Sequence, residues 1–286
     1  MLKFFRGFAP TPHPSPLEQT VPTFAAAARR MLDDIPDPPP LALWWRPTTK
    51  NTKTGQIPTA FVRRDIARES CKGCPHEPRS CYAWRGQMSK GLASMEKAHA
   101  RNPHRYTLAA ALAGRTWAAR YARMTAIGDL TAAPPDELRA AFQAIDEAGL
   151  GLLAYSSRWM HKAHDWLRPR VIASTITDGA TRRAIERGWV VAQTIHANTF
   201  AESMDAGHYT TRDGFKLKLC DNMTATLNTE RAPTCNDCGF CDARTIHASP
   251  FDGVAFPEHG PHQGGKVWTR LVKAARHAFT TRSKPQ

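Results

Sequence analysis

Tyr121-Ala-Arg-Met-Thr-Ala-Ile-Gly-Asp-Leu130 and Gly149-Leu-Gly-Leu-Leu-Ala-Tyr155 are the two stretches that decide the fold. Each is a short apolar run with glycine at its edge. Between them, Pro135 to Glu147 reads as an amphipathic helix opened by proline in its first turn. The alternation then repeats. Val171 to Ile176 reads as a strand and Ala180 to Arg187 as its helix; Trp189 to Ile195 and Thr199 to Ala206 form the next pair, and Phe215 to Leu219 closes the series. Strands that are apolar throughout and separated by helices imply an α/β protein with a parallel sheet buried on both faces. Several such units in succession predict a partial (β/α) barrel, with a doubly wound sheet as the alternative. In either case chemistry gathers where strands end and loops begin.

Working outward, residues 1–50 hold a large share of the prolines and read as an N-terminal arm with one helix, Pro22 to Leu32, and with Trp44 and Trp45 as anchors. Residues 51–219 make the barrel, and 220–262 a cysteine-rich extension. Residues 263–286 contain a basic helix on which Trp268, Leu271, Val272 and Ala275 share one face, while Arg270, Lys273 and Arg276 lie elsewhere. That helix either caps the barrel or meets nucleic acid.

The chain of 286 residues carries a net charge of +14. An enzyme of a small neutral metabolite has no need of this excess, whereas a polyanion such as DNA, or a modified nucleotide, rewards it through counterion release. Service to solubility alone is the plainer reading. No apolar run approaches the roughly 18 to 20 residues that span a bilayer, and the Met1 to Phe8 start is too short for a secretory core. A cytoplasmic location without membrane association is expected, in a host cytoplasm if the chain is phage-encoded.

In a reducing compartment, clustered cysteines are metal ligands or catalytic thiols more often than disulfides, and all seven cysteines fall in two groups. Cys71, Cys74 and Cys81 lie in a loop rich in glycine and proline; three thiolates leave one metal position open, unless His76 fills it as in Cys₃His zinc. Cys235, Cys238 and Cys241 have the tight spacing of ferredoxin-like loops, and Cys220, at a strand end, supplies a fourth ligand. A Cys₄ zinc knuckle is the alternative for this second group.

A three-cysteine loop ahead of a (β/α) series resembles the radical S-adenosylmethionine (SAM) superfamily. The resemblance implies a catalytic [4Fe–4S] cluster on Cys71, Cys74 and Cys81 whose open iron is chelated by SAM, reductive cleavage of SAM to an adenosyl radical, a reductant protein, and an auxiliary [4Fe–4S] cluster on Cys220, Cys235, Cys238 and Cys241. By the same resemblance Gly128 and Asp129 hold the SAM amino group, Tyr82 lies near adenine, and Ser174, Thr175, Gln193 and His196 stand at the ribose and methionine contacts. The spacing here is Cys-x₂-Cys-x₆-Cys, where the family has Cys-x₃-Cys-x₂-Cys. The chain is more similar to a phage-encoded group with Asn-Thr-Lys-Thr-Gly (Asn51 to Gly55), a loop ending Cys-Tyr-Ala, a late Thr-Cys-x-Asp-Cys-Gly-x-Cys (Thr234 to Cys241) and Phe-Pro-x-His-Gly (Phe256 to Gly260). Some such proteins are associated with hypermodification of thymine in viral DNA, which implies a radical isomerisation of a thymine side chain as restriction evasion. A non-catalytic zinc protein that binds nucleic acid is the alternative.

The catalytic candidates are Asp129, as an acid after a glycine at a strand end, and His196; an ordinary N-cap is the plain reading of Asp129. His161 and His164 form a His-x-x-His pair that reads as surface or packing histidines more readily than as a metal site. His259 and His262 sit in a loop near the tail, and Trp189 and Phe256 are candidates to stack on an extruded base, with core packing the safer role for Trp189.

Overall fold

The computed structural model describes residues 41–49, 51–72, 74, 87–228, 231–258 and 263–282. The arm helix, His76, Cys81, Tyr82, His259 and His262 lie outside the described residues. One sheet of nine strands organises the remainder. In chain order these are β1 (Leu43–Arg46), β2 (Thr59–Val62), β3 (Tyr121–Met124), β4 (Gly151–Ser156), β5 (Ile172–Thr175), β6 (Val191–Ile195), β7 (His208–Thr210), β8 (Lys216–Leu219) and β9 (Gly253–Pro257). Their spatial order is β1-β2-β3-β4-β5-β6-β9-β8-β7. The strands from β2 to β8 run parallel, and only the edge strands β1 and β7 are antiparallel to their neighbours.

Helices α1 (Arg64–Ser70), α2 (Gln87–Arg101), α3 (Leu108–Ala113), α4 (Pro135–Glu147), α5 (Asp178–Glu186), α6 (Ala197–Glu202), α7 (Asp221–Leu227), α8 (Cys235–Cys238), α9 (Ala243–His247) and α10 (Gln263–Arg282) make up the helical complement among the described residues. The connections after β3, β5 and β6 place α4, α5 and α6 on one face. There Leu138, Phe142, Ala184 and Phe200 join α7's Met223 and α10's Trp268 in a core with Met124, Ala154, Ala173 and Val191. Alternation along each strand sends the intervening residues to the opposite face. That face is covered by α9, whose Ala243 and Ile246 pack on Ile172, Ala192 and Val254 together with Cys220 and Cys241. Strands β2 to β6 are sequential neighbours in a mostly parallel sheet, compatible with a partial (β/α) arrangement, while α2 of the β2–β3 connection packs its Leu92 and Met95 on Trp44 and Phe61, away from the main core.

Three expectations are corrected. The extension 220–262 is not separate from the sheet, because its Gly253–Pro257 lies between β6 and β8 and pairs with both. The predicted arm also ends earlier: Leu43–Arg46 is a strand of the sheet, with Trp44 and Trp45 buried in it. The β3 run, expected to reach Ile127, stops at Met124 because Thr125 adopts φ 56°. A left-handed β-branched residue costs about 1–3 kcal/mol and tends to mark a functional strand end.

Candidate metal and cofactor site

At the carboxyl ends of β3 and β4, Gly128 has φ 80°, and a Cβ there would lie 2.5 Å from Val62 Cβ. Only glycine allows the turn to press onto β2. Asp129 follows, 5% exposed, and its carboxylate is surrounded by donors. Oδ1 accepts from Thr131 N–H at 3.1 Å, Thr131 Oγ1 at 2.9 Å and Ser156 Oγ at 2.9 Å; Oδ2 accepts from Ser157 N–H at 2.7 Å and Ser157 Oγ at 2.9 Å. This is the geometry of a cap that joins the ends of two strands. The backbone of Asp129 faces the cysteine loop: its N–H donates to Ser70 Oγ at 3.0 Å, and that oxygen is 4.0 Å from Cys71 Sγ. Cys71 is buried at the C-terminus of α1, and Cys74 N–H donates to the Cys71 carbonyl at 2.9 Å. Arg158 ties the same end of α1 to the segment after β4 through Glu69 O at 2.8 Å.

The residues expected at SAM's ribose and methionine divide between the faces. Thr175 and Gln193 pair in register and point into the helix layer. Thr175 Oγ1 bonds Thr181 Oγ1 at 2.7 Å, which donates to Gln193 Oε1 at 2.8 Å, while Gln193 Nε2 donates to Asp178 at 2.8 Å. Burial raises the Asp178 carboxyl, but donation from Gln193, the Arg212 N–H and Tyr209 outweighs it and holds the group below its usual range. Burial and the bond to Asp178 push the Tyr209 hydroxyl up to about 12. That closed network is structural. Ser174 lies on the opposite face, half-buried, with its carbonyl accepting from Trp159 Nε1 at 3.2 Å. His196 is exposed and caps α6, accepting from Asn198 N–H at 3.3 Å. His161 and His164 stack edge-on, and Trp189 is core. Phe256 packs edge-on against Tyr155.

The second cysteine group lies on the face opposite the helices. Cys235 and Cys241 pack against Tyr121 and Leu153, and Cys220 caps α7. Thr234 and Asp237 form a reciprocal capping box around α8. Asn236 fixes the loop before β3, accepting Arg120 N–H at 2.7 Å and donating to Ala118 O at 2.9 Å. Asp242 fixes it to β4 through Leu152 N–H at 3.0 Å. Burial pushes the Cys220 thiol up to about 12, against backbone donation from Met223 and with Cys235 adding to the rise. Burial likewise raises Cys241, with Cys220, Cys235 and Cys238 contributing, and Tyr155 opposing through its bond to the sulfur. As a donor set the four thiols suit a thiophilic centre, which would deprotonate them on binding. Among the described residues no group of three or more His, Cys, Asp or Glu is arranged to hold a metal ion.

Gly239 ends α8 with φ 65°, and a Cβ there would run into the Tyr121 ring and hydroxyl. Gly239→Ala is therefore expected to destabilise the protein by about 2–4 kcal/mol, combining left-handed strain with overpacking. Denaturant unfolding checks this, and an unchanged midpoint would contradict the docking of α8 on β3.

Outside the described residues, two of the expected site residues, Cys81 and Tyr82, leave the first group represented by Cys71 and Cys74. Sequence reading missed Ser70, Ser156 and Ser157, which carry the contacts of Asp129; serine next to a helix end or strand end has no distinctive spacing. No family model, curated protein or solved structure matches this chain. No described helix is long and apolar enough to cross a membrane.

Proposed function

We propose that the protein is a radical SAM-like iron–sulfur enzyme of the partial (β/α) barrel type, acting in a cytoplasm on a modified pyrimidine in DNA. The reaction we favour is isomerisation of a thymine side chain during DNA hypermodification. The observation that carries the reading is the hydrogen bond from Asp129 N–H to Ser70 Oγ, which sets the Cys71 loop beside the Gly128-Asp129 turn at the carboxyl ends of parallel strands. That is where an open-sited cluster and its ligand must meet. A cluster with bound SAM would supply the hydrogen-abstracting chemistry there. Cys71, Cys74 and Cys81 would hold the catalytic [4Fe–4S] cluster, and the Gly128-Asp129 backbone would orient SAM's polar end. Cys220, Cys235, Cys238 and Cys241 would hold the auxiliary [4Fe–4S] cluster. The +14 charge supports a nucleic-acid substrate, and a reductant protein would deliver the electron.

Anaerobic purification tests this. Iron and sulfide are expected, with SAM cleaved under reducing conditions. In the variant carrying Cys71→Ala and Cys74→Ala, cleavage is expected to fall to background while the iron held by the second group persists. A colourless protein holding zinc without iron or sulfide would overturn the reading in favour of a zinc-binding nucleic-acid protein.

A further inference from the structure

We propose that the outward side of α10 is a phosphate-contacting surface, on which Lys266, Arg270 and Lys273 track the backbone of a DNA duplex. The inference rests on the reading that the substrate is DNA, and it names the surface that holds it. The three residues are spaced by four and then three positions, and His277 continues the row four positions further. That spacing keeps them on one side of a helix. All four are exposed, in a row about 16 Å long at 1.5 Å per residue. Val267, Trp268, Leu271 and Val272 take the opposite side and pack on the main core, where Trp268 meets Phe200 edge-on at 5.8 Å. The helix is therefore fixed by one face and presents the other.

Charge on that face is of a single sign. Gln263–Arg282 contains no aspartate or glutamate, and Lys266, Arg270 and Lys273 form no ion pair among the described residues. By contrast, the exposed Arg64, Arg139 and Arg182 are met by Glu96, Asp136 and Asp213 at 3.0, 2.8 and 3.4 Å. A face that served solubility alone would mix both signs. A lipid surface takes up a basic amphipathic helix through its apolar face, and here that face is closed against the core. Phosphates ask only for the charged row. Helices α6 and α7, on which α10 lies, begin at the carboxyl ends of β6 and β8, the edge of the sheet that also carries the Gly128-Asp129 turn.

The test measures binding of the full chain to mixed-sequence duplex DNA over a series of salt concentrations. The variant carrying Lys266→Gln, Arg270→Gln and Lys273→Gln is expected to bind more weakly at low salt. Its plot of log affinity against log salt is expected to be shallower by about 2.7, so that between about 50 and 200 mM salt it loses about fortyfold less affinity than wild type. Duplexes of unrelated sequence are expected to show the same change. Lys266→Arg with Lys273→Arg keeps the charge and is expected to keep the wild-type slope. Arg64→Gln, Arg139→Gln and Arg182→Gln together remove as much formal charge from arginines already paired, and are expected to leave the slope unchanged. A wild-type slope in the α10 variant, or an equal fall in both triple variants, would overturn the inference while leaving the DNA reading intact. Wild-type protein that binds no duplex at low salt would overturn both, and its retention on phosphatidylglycerol vesicles would assign the row to lipid instead.

Discussion

Asp242→Ala is expected to cost about 3–5 kcal/mol and to lower the melting temperature by on the order of 10 °C. Asp242 is 3% exposed. Its Oδ2 accepts the Leu152 N–H of β4 at 3.0 Å, and its Oδ1 accepts the Arg244 N–H at 2.9 Å as the cap of α9. The Arg244 guanidinium adds an ion pair at 3.1 Å. Alanine removes all three at once. It leaves a buried N–H in the sheet without its acceptor, worth about 1–3 kcal/mol, strips a helix cap worth about 1 kcal/mol and leaves an arginine without its buried partner. Asp242→Asn keeps an acceptor for Leu152 and loses the ion pair, so a smaller loss of about 1–2 kcal/mol is expected. Thermal or denaturant unfolding of the two variants checks the order. Equal and negligible shifts would mean that the cysteine segment does not depend on β4 for its place.

The second large effect is expected at Asp129. Its carboxylate accepts from Thr131, Ser156 and Ser157, so Asp129→Ala is expected to lose about 3–4 kcal/mol. On the proposed function reductive SAM cleavage is expected to fall with it, since losing the carboxylate's bonds to Thr131, Ser156 and Ser157 loosens the turn whose backbone N–H meets Ser70 beside Cys71. Asp129→Asn retains acceptor capacity on one oxygen and is expected to recover most of the stability and part of the cleavage. The pair of measurements separates two roles. Cleavage lost in both variants with stability intact in Asp129→Asn would assign the carboxylate to the chemistry, contrary to the capping geometry.

The sheet's middle was legible because Tyr121–Met124, Gly151–Ser156, Ile172–Thr175 and Val191–Ile195 are buried on both faces and so read as apolar runs between amphipathic helices. Helix α4 was predicted with its observed ends, since Pro135 opens it and Ala148-Gly149 follow its last residue. The α10 helix was also legible from Trp268, Leu271 and Val272, which pack on the main core. Its neighbours in the sheet were not. Strands β1, β2 and β9 are four or five residues long and gain their identity from partners distant in the chain. The Cys235, Cys238 and Cys241 run was legible as spacing, whereas the bond from Cys235 N–H to Lys53 O was not, because a backbone bond leaves no mark on side-chain pattern. Thr175 and Gln193 looked available at strand ends until register placed both toward the helices. One residue of offset decides which face a strand residue serves.

The place of β9 carries a consequence for synthesis. Strands β6 and β8 each meet β9 and not each other, so a chain emerging from the ribosome holds a vacant slot until residues 253–257 arrive. Until then two parallel edges with unpaired N–H and C=O groups face the solvent, the kind of surface on which chains associate wrongly. Insertion of a late strand between two earlier ones is a non-local pairing and slows completion of the sheet. Arrival of residues 253–257, rather than growth of the strands before them, is then the step that closes these two edges.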